Sequence, residues 1–223
     1  MKRLILLFLV LIVAGLSGCA EPPPPYDYTA FRQNQPRSIL VFPPVNRSPE
    51  VHAGHGVLAQ VTLPLAESGY YVFPVTLVEE TFINNGLTQP EDIHGLDLKK
   101  LHKIFHADAA LYMVITEYGT KYMVLASDTR VTLEARLIDL RTGQKLWAGS
   151  ATASSAEQSS ANSGGLAGIL AQALVEQIIN TMADVTYDMA GLADNRLLWA
   201  GKRNGMLYGP RSPMFGKEGQ EGK

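Results

Sequence analysis

Cys19 is the one cysteine in a chain of 223 residues, and it closes an apolar run instead of lying within a folded segment. A lone thiol has no partner for an internal disulfide, and a free one in an oxidising compartment is a liability. Four residues apart on an expected helix, His102 and His106 have the spacing that lets two imidazoles share a metal ion. Lys103 follows the first of them where a metalloprotease helix would carry Glu, so the pair reads more simply as solvated residues on a helix edge. His52 and His55 sit in a glycine-containing loop with Glu50 as the nearby carboxylate, a poor ligand set. There is no Gly-x-Ser-x-Gly elbow, and the serines of 154–163 read as linker. Gly164-Gly165-Leu166-Ala167-Gly168 opens a helix as a phosphate cradle would. It lacks the following Lys and the preceding buried strand, and reads as a hinge. Glu79 and Glu80 read as the wet face of a short helix, and Met182 and Met189 as part of an apolar stripe. No catalytic, cofactor-binding or metal-ligating residue is assigned; a metal-dependent hydrolase built on His102 is kept as an alternative.

The elements that would carry these residues follow from hydrophobic periodicity. Ser38–Val45 is β-rich and nearly all apolar, as a strand buried on both faces must be, and Pro43 and Pro44 end it. His55–Ser68 reads as a helix with a defect at Pro64 and a stop at Gly69. Tyr70–Pro74 is a strand, Thr76–Asn85 a helix, Pro90 to Gly95 a turn region, and Leu96–Phe105 a helix buried through Leu98, Leu101 and Phe105. Ala109–Tyr118 and Tyr122–Ala126 are expected strands. Thr129–Leu140 alternates, with Val131, Leu133, Ala135 and Leu137 on one side and Arg130, Thr132, Glu134 and Arg136 on the other. Arg141 to Gln144 turns the chain into a hairpin partner, Lys145–Thr152, and Ala153–Gly165 is a mobile connection. The longest expected helix, Leu166 to about Ala190, aligns Leu170, Leu174, Ile178, Met182, Val185 and Met189 over roughly 37 Å. Ala167, Ala171, Ala173 and Ala183 add small residues that let it pack closely, on the sheet or on a second copy of the chain. This order predicts an α/β (α+β) fold, a mixed sheet with an antiparallel portion flanked by helices.

At the other end of the chain, Lys2 and Arg3 precede the apolar run Leu4–Leu16, followed by the small pair Ser17-Gly18 before Cys19. This is the layout of a secretory signal, too short to cross about 30 Å of hydrocarbon as a stable helix. Leu16-Ser17-Gly18-Cys19 resembles the bacterial lipobox. The resemblance implies cleavage before Cys19, a diacylglycerol on its thiol and an acyl chain on its amine, which anchor a protein essentially for good. Without the signal the chain keeps 17 of its 19 basic residues against 21 acidic ones, a net −4, with no basic run of the kind that binds nucleic acid. The expected organisation is a signal at 1–18, a lipidated Cys and Pro-rich tether at 19–37, a periplasmic domain at 38–195 and a flexible tail at 196–223. Extended, the 17 residues from Ala20 to Pro36 reach at most roughly 55–60 Å.

Within the domain, Asn46-Arg47-Ser48 after the first strand, Ser68-Gly69 before the second, Ala107-Asp108 before the third, and the Thr142-Gly143 turn followed by Trp147 form an ordered set. The set resembles the envelope proteins related to the TolB N-terminal domain, CsgG and LpoB, over about residues 38–190. The Pro-Pro-Val-Asn-Arg-Ser-Pro wording is closer still to a family of short Gram-negative lipoproteins of unassigned function. The resemblance implies a periplasmic domain on an outer-membrane lipid anchor, since Ala20 stands where Asp would signal inner-membrane retention. It also implies work by binding other envelope proteins or by self-assembly, in transport or secretion, with regulation of a peptidoglycan synthase as the alternative. Asn46 and Arg47, with Leu170, Leu174 and Ile178, are the candidate interface. No propeller-period repeat follows the domain, and the exposed charges of 130–136 do not suit a lipid-facing pore strand.

Overall fold

The computed structural model describes residues 25–122, 127–157 and 182–217. Its elements run α1 (Thr29–Asn34), β1 (Ser38–Val41), β2 (Val45–Asn46), α2 (Ala53–Leu58), α3 (Thr62–Glu67), β3 (Tyr71–Val72), α4 (Val75–Asn84), α5 (Pro90–His94), α6 (Leu98–Phe105), β4 (Ala109–Tyr122), β5 (Ser127–Asp139), β6 (Lys145–Ser154) and α7 (Met182–Leu198). The sheet order is β3-β1-β4-β5-β6, with β2 also on β4. β1, β2 and β3 join by parallel pairings, and β4, β5 and β6 form an antiparallel meander, the mixed α+β sheet expected.

The apolar run at 38–45 makes two strands because of its prolines. β1 pairs with Ala109–Leu111 and β2 with Val114–Ile115, end to end along one edge of β4. Pro43 and Pro44 fill the gap, where no N–H is available for the ladder. On either side, Phe42 N donates to Leu111 O at 3.2 Å and Arg47 N to Ile115 O at 2.9 Å. β1 is apolar throughout because both its faces are covered. Ile39 and Val41 join a core with α1, α2, α3, α7 and the inner residues of β4, β5 and β6. Leu40 and Phe42 join a second core under α4, α5 and α6. That second layer reaches β5 only at Ile138, and Glu134 and Arg136 are exposed while Val131, Leu133 and Leu137 are fully buried.

Several boundaries move. The helix expected at 55–68 is two short helices, α2 and α3, divided after Leu58. The turn region at 90–95 contains α5, started by Pro90 at its first turn, where a missing N–H costs nothing. β4 runs unbroken to Tyr122, and the rest of the strand expected at 122–126 lies outside the described residues. β6 takes in Ala153 and Ser154, which the sequence assigned to a connection. α7 continues eight residues past Ala190, while the part of that helix before Met182 lies outside the described residues.

The larger correction concerns both chain ends. The tether expected to run to residue 37 is packed structure from Tyr26 onward. Tyr26 N donates to Asn204 Oδ1 at 3.0 Å, the Tyr28 hydroxyl to Gly205 O, and Phe31 is 3% exposed in the main core. The tail expected to be flexible from 196 carries buried Leu197, Leu198, Met206 and Leu207. Its backbone is tied down by Ala200 N on Ser68 Oγ at 2.8 Å and Gly209 N on Ser68 O at 2.8 Å. Each end lacks regular periodicity, and each is ordered by the other.

Candidate binding cleft

β1 feeds β3 on one side through α2 and α3, and β3 returns to β4 on the other side through α4, α5 and α6. The two connections cover opposite faces of the sheet. Where such connections part, at the carboxyl end of the central strand, α/β sheets leave a crevice. A cleft of about 320 Å³ opens there, lined by Pro43, Pro44 and Asn46 after β1, by Val51, His55 and Leu58 at α2, and by Glu79, Ile83, Leu87 and Ile93 from α4 to α5. Its rim is apolar and exposed: Val51 is 82% and Ile83 51% accessible.

Behind the lining residues Pro43 and Ile93, His94 Nε2 lies 3.0 Å from Pro43 O, and its ring is 5.9 Å from Phe42 and 5.2 Å from Tyr112. Burial holds the His94 pKa below its ordinary value, against the contact with the Pro43 carbonyl. At the rim, His55 Nδ1 stands 3.9 Å from Glu79 Oε1. The mouth therefore combines exposed aliphatic carbons with the carboxylates of Glu79 and Glu91.

Asn46 lines the cleft, yet its side chain is committed to the loop. Its Oδ1 accepts from Ser48 N at 2.9 Å and Ser48 Oγ at 2.7 Å, and its Nδ2 donates to Glu50 O at 2.7 Å. Those bonds hold the segment that presents Val51. Arg47 is exposed beside it, attached through its backbone to Ile115. His102 and His106 do not form a ligand pair with a third group: His102 Nδ1 is 2.9 Å from Ala107 O, and His106 takes a left-handed conformation, φ 54°, at the end of α6. Among the described residues no group of three or more His, Cys, Asp or Glu could hold a metal ion. Cys19, Leu170, Leu174 and Ile178 lie outside the described residues. Val51 and Ile83 were missed by the sequence reading. The available signal was an aliphatic residue in an otherwise polar loop, Glu50-Val51-His52.

The remaining motif residues are joints of the fold. Asp108 Oδ2 accepts from Arg37 N at 2.8 Å and from Ser38 N and Oγ at 3.2 Å, fixing the start of β1. Asp139, fully buried, accepts from Thr142 N at 2.8 Å and from Arg141 Nη2 at 3.0 Å, closing the turn in which Gly143 adopts φ 74°. Burial opposes its ionisation, but Arg141 and the two backbone N–H groups outweigh burial and hold the carboxyl below its usual range. Asp194 on α7 is the opposite case. It is fully buried, neither carboxylate oxygen has a hydrogen-bond partner among the described residues, and desolvation pushes its pKa well up.

A family model described as "Putative lipoprotein GNA1162-like" matches residues 26–211. A Neisseria meningitidis serogroup B protein, "Putative lipoprotein NMB1124/NMB1162", is 49% identical over 200 residues, 89% of this chain and 92% of that one. The crystal structure of lipoprotein GNA1162 from Neisseria meningitidis is 51% identical, covers 66% of this chain and 100% of its own, and superposes with a TM-score of 0.52. A PelC dodecamer from Paraburkholderia phytofirmans is 14% identical, with a TM-score of 0.43 over 75% of this chain and 91% of its own.

Proposed function

Because the chain belongs to the GNA1162-like lipoprotein family, we propose that it is an outer-membrane-anchored binding protein without catalysis of its own. The anchor is the acylated Cys19, and the binding site is the cleft at the carboxyl end of β1. The observation that carries this reading is the exposed aliphatic pair Val51 and Ile83, which line one cleft together with Glu79 and Glu91. Isolated apolar side chains on a surface mean little, but a pair bordering a cleft is the form of a protein-binding site. The occupant this chemistry fits is a segment of another envelope protein that places an apolar side chain next to a basic one. A role in transport or secretion fits such a partner.

The test is site-specific photocrosslinking in intact envelopes from Val51 and from Ile83, with Cys19→Ala as the mislocalised control. The reading requires one discrete partner captured from both positions, lost from Val51 in an Ile83→Glu background, and lost from both after mislocalisation. A peptidoglycan synthase as that partner would make the protein a regulator of wall synthesis. Capture of the chain alone would replace partner binding by self-assembly, and equal capture from positions remote from the cleft would overturn the site.

A further inference from the structure

The lipid anchor and the folded domain are much closer together than a tether to residue 37 would put them. Six residue steps separate Cys19 from Pro25, the first described residue, and they span at most about 20 Å even when fully extended. Tyr26 is then fixed to Asn204, and Tyr28 to Gly205. The surface around that exit is therefore held within about 20 Å of the bilayer.

That surface includes α1 and the segment after α7, which is mostly basic. Between Asp194 and Glu218 the chain carries Arg196, Lys202, Arg203, Arg211 and Lys217 and no other carboxylate, within a protein whose mature net charge is negative; Arg196 is paired with Glu157 at 2.8 Å, and the Lys202 ammonium donates to Asn195 O. Arg32 adds a cation on α1, 5.9 Å over the Tyr28 ring. Trp199 stands at the start of the same segment and is 38% exposed, and Phe215, on the lip of an apolar groove shared with Phe31 and Pro36, is 40% exposed. The carboxylate at the exit, Asp27, turns back to accept from Thr29 N at 2.9 Å and Thr29 Oγ1 at 2.6 Å. Exposed Trp and basic side chains next to a lipidated residue suit a headgroup layer, where an indole takes the interface and cations meet phosphates.

We infer that this end of the domain, with Trp199, Lys202, Arg203 and Arg32, lies against an anionic phospholipid surface and fixes the orientation of the domain on its membrane. The inference rests on Cys19 being the anchor. It directs the cleft, at the carboxyl end of β1, away from the bilayer, because the tail that holds Tyr26 packs on Ser68 and Gly69, just before β3, whose Tyr71 pairs with Ser38 at the amino end of β1.

The chain contains two tryptophans, and Trp147 is 1% exposed in the core, so surface contact can be read from Trp199 alone. The lipidated protein is reconstituted into phosphatidylethanolamine–phosphatidylglycerol vesicles whose acyl chains carry bromine, and acylation of Cys19 is checked by intact mass. The expected result is quenching and a blue shift of the Trp199 component, absent in Trp199→Phe. It should weaken in Arg32→Glu with Arg203→Glu, by about five-fold in the contact equilibrium for each charge lost. Unchanged Trp147 emission confirms that these variants fold. With Cys19 acylated and the protein on the vesicles, quenching no greater than in Trp199→Phe overturns the membrane face and leaves the anchor standing. An unmodified Cys19 overturns the anchor, and the face with it.

Discussion

The two ends of β1 are built from different contacts. At its amino end, the ends of the folded domain are held by specific bonds: Asp108 on β1, Ser68 on the tail, Asn204 on both Tyr26 and Trp147. At its carboxyl end, the prolines interrupt the ladder, the helix layers part, and Val51 and Ile83 are left in solvent. One end is therefore a structural joint on which stability depends. The other carries surface that the fold does not need, which is what a binding site requires. Exposed apolar groups are retained at a cleft for what they touch outside the chain.

Substitutions rank the two ends. The largest effect is expected at the amino end from Phe31→Ala, a loss of about 3–5 kcal/mol in urea unfolding, because a buried ring leaves a cavity. A loss under 1 kcal/mol would return α1 to the status of a tether. Gly69→Ala comes next. Gly69 holds φ 94°, and an added Cβ would meet Ser212 N and, at 2.8 Å, Gly209 O. The backbone alone costs about 1–3 kcal/mol, and the tail should become the first site of limited proteolysis. Cleavage elsewhere first would show that the tail does not dock there.

Asp194→Asn should act with the opposite sign, stabilising by about 1 kcal/mol or more at neutral pH, because an amide replaces a buried carboxyl whose charged form desolvation penalises. The folded pKa of Asp194 lies above its unfolded value. Folding thus takes up a proton between the two, and the wild type loses stability relative to the variant as pH rises from the ordinary carboxylate range toward the folded value. Thermal melts of both proteins across that range check it, and a constant difference at every pH would mean that Asp194 is not the titrating group. The smallest effect on stability is expected at the cleft: Val51→Ser and Ile83→Ser should each stay within about 0.5 kcal/mol. Their consequence should be seen in partner capture, and a destabilisation matching that of Gly69→Ala would make the rim part of the core.

The five motifs that carried the resemblance teach the same distinction. Asn46, Ser68-Gly69, Ala107-Asp108, Thr142-Gly143 and Trp147 all proved to be joints: loop closures, a left-handed stop, a strand anchor, a hairpin turn and a core ring. They were legible because a particular φ or a particular hydrogen bond restricts the residue type locally. They identified the fold and the family, and only one of them touches the cleft.

Residue order by itself determined the signal-like start and its single cysteine, the alternation of β5, the doubly buried β1 and the mixed sheet, since each depends on periodicity or composition within a short window. The pairing of Tyr26 with Asn204, which turns an expected tether and an expected tail into one packed end, was decided only by the tertiary structure. So were the division of the run at 38–45 into two strands on β4, the cleft where the helix layers separate, and the burial of Asp194 on α7. The physical reason is sequence distance. These features join segments up to 178 residues apart, and a contact between two irregular segments leaves no period in either.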